Sequence, residues 1–184
     1  MDRIWWRPHG ITLKLLKPNS RQIIQKFLFD YWATNSREAK LYKYRSPICE
    51  RCNKITETSD HMIRCPNAAD MFKKMREFFH KSKTPPGIEL SILAGFQAWY
   101  MGQNPPAIEE IIPQASYNLR QAYKEQNRIG WRHFIRGRIS LLWAHLINFE
   151  IEMSRQNRQQ NRLRYQTAES WANKLFLIQW AYIL

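Results

Sequence analysis

The chain is poor in the features that mark several protein classes. No apolar run approaches the roughly 20 residues needed to cross a bilayer; the nearest, 175–184, is ten residues long and broken by Gln179. Residues 1–20 hold no continuous apolar stretch, so no secretory leader is expected. Glycine is scarce, at six of 184 residues, which excludes a collagen-like chain. Cysteine is scarcer still, and its odd count of three argues against a disulfide framework. A reducing, intracellular compartment is the expectation, with nucleus and cytoplasm both open. Acidic residues are also few: 15 Asp and Glu against 29 Lys and Arg leave a formal charge of +14.

What is present supports a packed protein. Hydrophobic residues make up 44% of the chain and aromatics 14%, including eight Trp. A chain of this length can hold a core without covalent staples. The charge is unevenly placed: residues 1–83 carry +10, residues 84–119 carry −3 with no basic group, and residues 120–184 carry +7. The division reads as an N-terminal module over 1–83, a Pro-punctuated acidic linker with a short helix over 84–112, and a C-terminal helical region over 113–184. Such a basic surplus favours polyanions, of which nucleic acid is the commonest soluble one.

All three cysteines lie in one window with a histidine: Cys49-x2-Cys52-x8-His61-x3-Cys65. Two cysteines separated by two residues form a tight loop whose thiolates reach one ion at about 2.3 Å. His61 and Cys65 are four apart, so one helical turn puts both on the same face. Thr58 or Ser59 can cap that turn, and Asp60 suits its positive end. Three thiolates and one imidazole predict a closed tetrahedral Zn²⁺ site, structural because no position is left for water. Arg51, Lys54 and Arg64 would offset the site's net −1 charge. Two alternatives use the same residues. Three buried thiols beside an unrelated histidine would need apolar surroundings, which Glu50, Arg51, Asn53 and Lys54 do not supply. A nucleophilic pair of Cys65 with His61 leaves Cys49 and Cys52 unexplained.

The window resembles the zinc-binding segment at the C-terminal end of non-LTR retrotransposon reverse transcriptases. The likeness is carried by Cys49-Glu-Arg-Cys52, Glu57-Thr58 and His61-Met-Ile-Arg-Cys65-Pro66. Upstream, Lys26-Phe27, Tyr31-Trp32 and Thr34-Asn35 resemble the helix and polar turn ahead of such fingers. Downstream, 126–131 (Gln-Asn-Arg-Ile-Gly-Trp), then 137–140 (Gly-Arg-Ile-Ser) and Trp143 resemble the segment that trails them. A polymerase needs paired aspartates for two metals, and this chain has four Asp, none adjacent. The resemblance therefore implies a detached C-terminal piece, or a relic of one, without enzymatic activity. Eight residues between Cys52 and His61, rather than four, separate it from the short retroviral nucleocapsid knuckle.

Elsewhere the apolar spacing is helical, and the fold class expected is mostly α with a small Cys3His knuckle and a short β-hairpin at 49–52. Ser20 caps a helix with Ile23, Ile24, Phe27, Leu28, Tyr31 and Trp32 on one side. Asn67 and Asp70 open a helix with Met71, Phe72, Met75, Phe78 and Phe79 inward. Leu90, Ile92, Leu93, Phe96 and Trp99 form a short helix ending near Gly102. Pro113 opens another through Gln126, with Gly130 as its breaker. Ile139, Leu142, Trp143, Leu146, Phe149 and Met153 line a further helix, and Trp171, Leu175, Ile178 and Tyr182 the last. These stripes belong to the core; Trp5 and Trp6 fit none of them and are the candidates for base stacking.

The expected phosphate contacts are Lys43, Arg45, Arg51, Lys54 and Arg64 near the knuckle, joined by Arg155, Arg158 and Arg162, which helical spacing puts on one face. RNA and DNA are both open. A second expectation makes the zinc module structural, with a protein partner at the apolar C-terminus. No membrane association is expected.

Overall fold

The computed structural model describes residues 3–68, 71–156, 167–181 and 183–184. Asp70, Tyr182, Arg158 and Arg162 lie outside them. Among the described residues the chain forms eleven helices and no strand. The N-terminal group is α1 (Trp6–Leu15), α2 (Pro18–Leu28) and α3 (Asn35–Leu41). The knuckle contributes α4 (Ser59–Arg64), and α5 (Met71–Ser82) follows it. The middle holds α6 (Pro86–Tyr100), α7 (Ile108–Ile111), α8 (Tyr117–Ile129) and α9 (Trp131–Phe134), and the chain ends with α10 (Leu141–Gln156) and α11 (Ala168–Ala181).

One continuous core draws on all three stretches of the sequence. α11 lies between α1, α5 and α10, and its Trp171, Leu175, Phe176 and Trp180 have no exposed surface. Of the apolar C-terminal stretch expected to face a partner, Leu175, Phe176, Trp180 and Ile183 are buried, the helix being covered by α1 and α5, while Leu184 stays exposed. On the other side α8 packs on α10, α6 and α9. The acidic middle is likewise interior at its centre: α6 buries Ile88, Ile92, Leu93 and Phe96. The N-terminus is tied in by an isolated bridge from Ile4 to Ser140, where Trp5 N–H donates to the Ile139 carbonyl at 2.9 Å. Trp5 is buried there, so of the two tryptophans proposed for stacking only Trp6 stays exposed.

Several helix boundaries differ from the periodicity. α2 starts at Pro18, whose fixed φ and missing N–H suit a first turn, and it stops at Leu28. Asp30 N–H bonds to Phe27 O and Tyr31 N–H to Lys26 O, with Asp30 left-handed at φ 60. This Schellman closure leaves Tyr31 outside and exposed. Pro113 opens nothing; Ser116 caps α8 instead, accepting from Leu119 N–H. In α10 the inward row is Trp143, Ile147 and Ile151, whereas Phe149 and Met153 face out. Leu146 is buried as well, but the apolar spacing continues to 149 and 153 while the buried row runs on through Ile147 and Ile151, a shift that periodicity alone does not resolve. α1 and α3 have too weak an apolar stripe to be found in this way.

Gly95 allows α6 to touch α9. A Cβ added there would sit 2.1 Å from the Trp131 ring carbons, and Trp131 is itself buried against Phe134 and Tyr123. Gly95→Ala is expected to destabilise the protein by about 2 kcal/mol, the overpacking cost with a ring that cannot retreat. Denaturant unfolding measures it; an unchanged midpoint would contradict this packing.

Candidate metal centre

The knuckle is built by backbone geometry first. Asn53 is left-handed at φ 53, a conformation its short polar side chain tolerates. It turns the chain so that Asn53 N–H reaches the Cys49 carbonyl at 2.8 Å and Cys49 N–H the Ile55 carbonyl at 2.9 Å. The hairpin expected at 49–52 is therefore a turn, flanked by one isolated antiparallel bridge between Ile48 and Thr56. The other arm is α4. Thr58 caps it, its Oγ1 accepting from His61 N–H at 3.1 Å, and Cys65 stands at the helix C-cap. Arg51 donates to the Met62 carbonyl and Asn67 to the Arg51 carbonyl, both at 2.7 Å, pinning one arm to the other.

This geometry brings all four predicted ligands together. Cys49 Sγ lies 4.0 Å from Cys65 Sγ, and Cys52 Sγ lies 3.3 Å from His61 Nε2. The four donor atoms are within 4.8 Å of one another and all four residues are buried. A tetrahedron with bonds of about 2.0–2.3 Å has edges of about 3.5–3.8 Å, so the cluster can hold a metal ion. Electrostatics agree. Burial, then the Arg51 charge and more weakly that of Arg64, hold His61 below its ordinary pKa against an opposing pull from Glu57, the direction that favours the neutral ring a metal ligand needs. The Lys54 backbone N–H, helped by that of Ile55, lowers the Cys52 thiol, while burial pushes the Cys65 thiol up.

Comparison with known protein families, with characterised proteins and with solved structures finds no match.

Two clamps join the knuckle to its surroundings. The first explains the Glu57-Thr58 pair: Thr58 caps α4, while Glu57 Oε1 accepts from Asn35 N–H at 3.0 Å, holding the first turn of α3. Asn35 Nδ2 in turn donates to the Ile48 carbonyl at 2.8 Å, just ahead of Cys49. The second clamp is ionic. Asp60, next to His61, pairs with Arg132 at 2.8 Å and with Arg136 at 3.3 Å. Both arginines also reach Asp30, Arg132 at 3.1 Å and Arg136 through two nitrogens. The Arg136 side chain is only 3% exposed. Burial alone would raise the Asp30 pKa, but the hydrogen bond and charge of Arg136, with Arg132 and Ser59, carry it below the ordinary value.

Sequence reading misses this clamp. The four-residue spacing of Arg132 and Arg136 is its one available signal, and Asp60 reads only as a helix-end charge.

The expected phosphate contacts divide by their surroundings. Lys43 and Lys54 are exposed, as is Arg45, which lies 3.8 Å from Glu38. Arg51 is exposed but bonded to Met62. Arg64 is half-buried: its Nε donates to the Tyr100 carbonyl at 2.9 Å, beside Trp99 and over Gly102 at the end of α6. There it satisfies a helix C-terminus rather than facing solvent. Arg155 is exposed at the end of α10. No described helix is long and apolar enough to cross a membrane.

Proposed function

We propose that this chain is a non-catalytic, zinc-stabilised helical module that binds RNA or DNA through its phosphates and descends from the C-terminal segment of a retroelement reverse transcriptase. The observation that carries the reading is the convergence of three sulfurs and one imidazole within 4.8 Å. A soft donor set of three thiolates and one ring nitrogen favours Zn²⁺ over harder ions. When bound, the ion cross-links the two arms of the knuckle, and four protein donors leave it no position for water. The formal charge of +14 supports a polyanionic partner. The spacing of Cys49, Cys52, Glu57-Thr58, His61 and Cys65-Pro66 supports the descent. A nucleophilic Cys65–His61 pair is less consistent with sulfurs and imidazole gathered around one point.

Two measurements test the proposal. Metal analysis of purified protein is expected to find one zinc per chain. A gel shift on duplex DNA is expected to lose affinity steeply with salt, with a log–log slope of about −0.9 for each phosphate neutralised. Absence of binding at low salt would remove the nucleic-acid reading. A second reading is favoured by Arg51 and Arg64, whose bonds to Met62 and Tyr100 serve the fold: the ion orders the segment, and the module's role is structural. It predicts stoichiometric zinc with no affinity for either polynucleotide.

A further inference from the structure

Exposed aromatic side chains and cations alternate in one short segment, between α3 and the first metal ligand. Residues 41–45 read Leu-Tyr-Lys-Tyr-Arg. Arg45 N–H bonds to the Tyr42 carbonyl at 3.0 Å, so 42–45 is a tight turn with Lys43 and Tyr44 at its corner. Tyr44 is 81% exposed and Tyr42 50%. Their ring centroids are 5.9 Å apart with planes tilted by 41°, so neither ring covers the other's face. Lys40 and Arg37 precede them on α3, and with Glu38 as the one carboxylate the stretch 37–45 carries +3. A groove of about 590 Å³ adjoins the segment, lined in part by Arg37, Lys40 and Leu41. The carboxylates in its wall, Asp30 and Asp60, are neutralised by Arg132 and Arg136.

Among the described residues, the exposed Tyr31, Trp6 and Tyr117 lack this combination. Arg37 covers the ring of Tyr31, and Trp6 stands edge-on to His9 beside an Arg7 already paired with Glu169. Tyr117 borders a groove with Asn118, Gln121, Leu142 and Phe149 that holds no lysine or arginine.

We propose that the Tyr42–Arg45 turn is a stacking platform for unpaired bases, which makes the ligand a single-stranded polynucleotide. The inference rests on the nucleic-acid reading above and deepens it. A base in a duplex has both faces covered by its neighbours, whereas a base in a single strand offers a face to a protruding ring. Tyr44 takes a base, Tyr42 flanks it, and Lys43, Arg45 and Lys40 meet the adjoining phosphates. Stacking of this kind tolerates any base, and the sugar is left to the backbone contacts.

The test uses the full, zinc-loaded chain and fluorescence anisotropy with labelled 12-residue single-stranded RNA, single-stranded DNA and duplex DNA at one low salt concentration. Single strands are expected to bind more tightly than duplex. Tyr44→Ala is expected to weaken single-strand binding by roughly five- to a hundred-fold, the range of one base–aromatic stack. Tyr44→Phe, which keeps the ring, is expected to restore most of it. Lys43→Gln is expected to lower the single-strand salt slope by about 0.7, one phosphate's worth, whereas Tyr44→Ala leaves the slope unchanged. Both side chains project into solvent, and zinc content and thermal unfolding check that the variants keep the fold. Equal affinity for single strands and duplex, with no effect of Tyr44→Ala, overturns the platform while phosphate binding stands. No affinity for any of the three overturns both.

Discussion

Cys52→Ser is expected to release the metal and unfold the knuckle while much of the helical core survives. The knuckle's own buried cluster is three cysteines against Ala68, too little apolar surface to hold twenty residues in place. On the proposed reading a bound ion adds to what the Glu57–Asn35 and Asp60–Arg132/Arg136 contacts supply, and structural zinc in comparable small units contributes on the order of 10 kcal/mol. The main core, from Trp5 to Ile183, includes no knuckle residue apart from Ile63. Metal analysis is expected to fall from one equivalent toward zero, and hydrogen exchange to lose protection over 45–66. Helices around Trp143 and Trp171 are expected to keep theirs. A variant that retains a full equivalent of zinc, or unchanged protection over 45–66, would show that Cys52 is not a ligand. Thr58 capping and the Glu57 bond to α3 would loosen together, so the Tyr42–Arg45 turn is expected to lose its fixed position as well.

Arg136→Ala is the second large effect. Removing one member of a buried ion pair typically costs 3–5 kcal/mol, because the remaining charge is left without compensation. Arg136 is buried, but Asp30 and Asp60 keep part of their surface in water. We therefore expect a loss of about 3 kcal/mol, at the low end of that range, read as a lower denaturant midpoint at neutral pH. The loss has a pH signature. Asp30 has a depressed pKa in the folded protein, so its contribution is fully present above the ordinary carboxylate value and disappears as the pH falls through the depressed one. The gap between wild type and Arg136→Ala is expected to be constant near neutrality and to shrink only in that acid window. Metal content read alongside separates this change from loss of the ion. A gap independent of pH down to about 2 would mean that Asp30 is not the partner that matters.

Legibility in the sequence followed how local each interaction is. The ligand set could be read because Cys49-x2-Cys52 and His61-x3-Cys65 each close within one turn of chain, and cysteine is otherwise absent. Met71, Met75, Phe78 and Phe79, or Trp171 and Leu175, could be read because their period is that of a helix. Boundaries were harder. Residue 30 reverses the chain as an aspartate in a conformation that usually calls for glycine, and its reason lies 106 residues away in Arg136. The outward turn of Phe149 and Met153 depends on where α8 and α11 sit, information that α10 does not contain. Arg64 resembled a phosphate contact until the end of α6 was placed beneath it.

Taken alone, the amino-acid order determined that this chain is helical, strongly basic, and equipped with one four-ligand cluster, because periodicity, net charge and short-range spacing are properties of neighbouring residues. Only the tertiary structure decided which cations face solvent and which brace the fold, that the Trp171–Leu175–Phe176–Trp180 face of α11 is interior, and that Asp30, Asp60, Arg132 and Arg136 lock the knuckle to the core. Those outcomes arise between residues far apart in the chain, where burial and pairing are set by packing rather than by sequence distance.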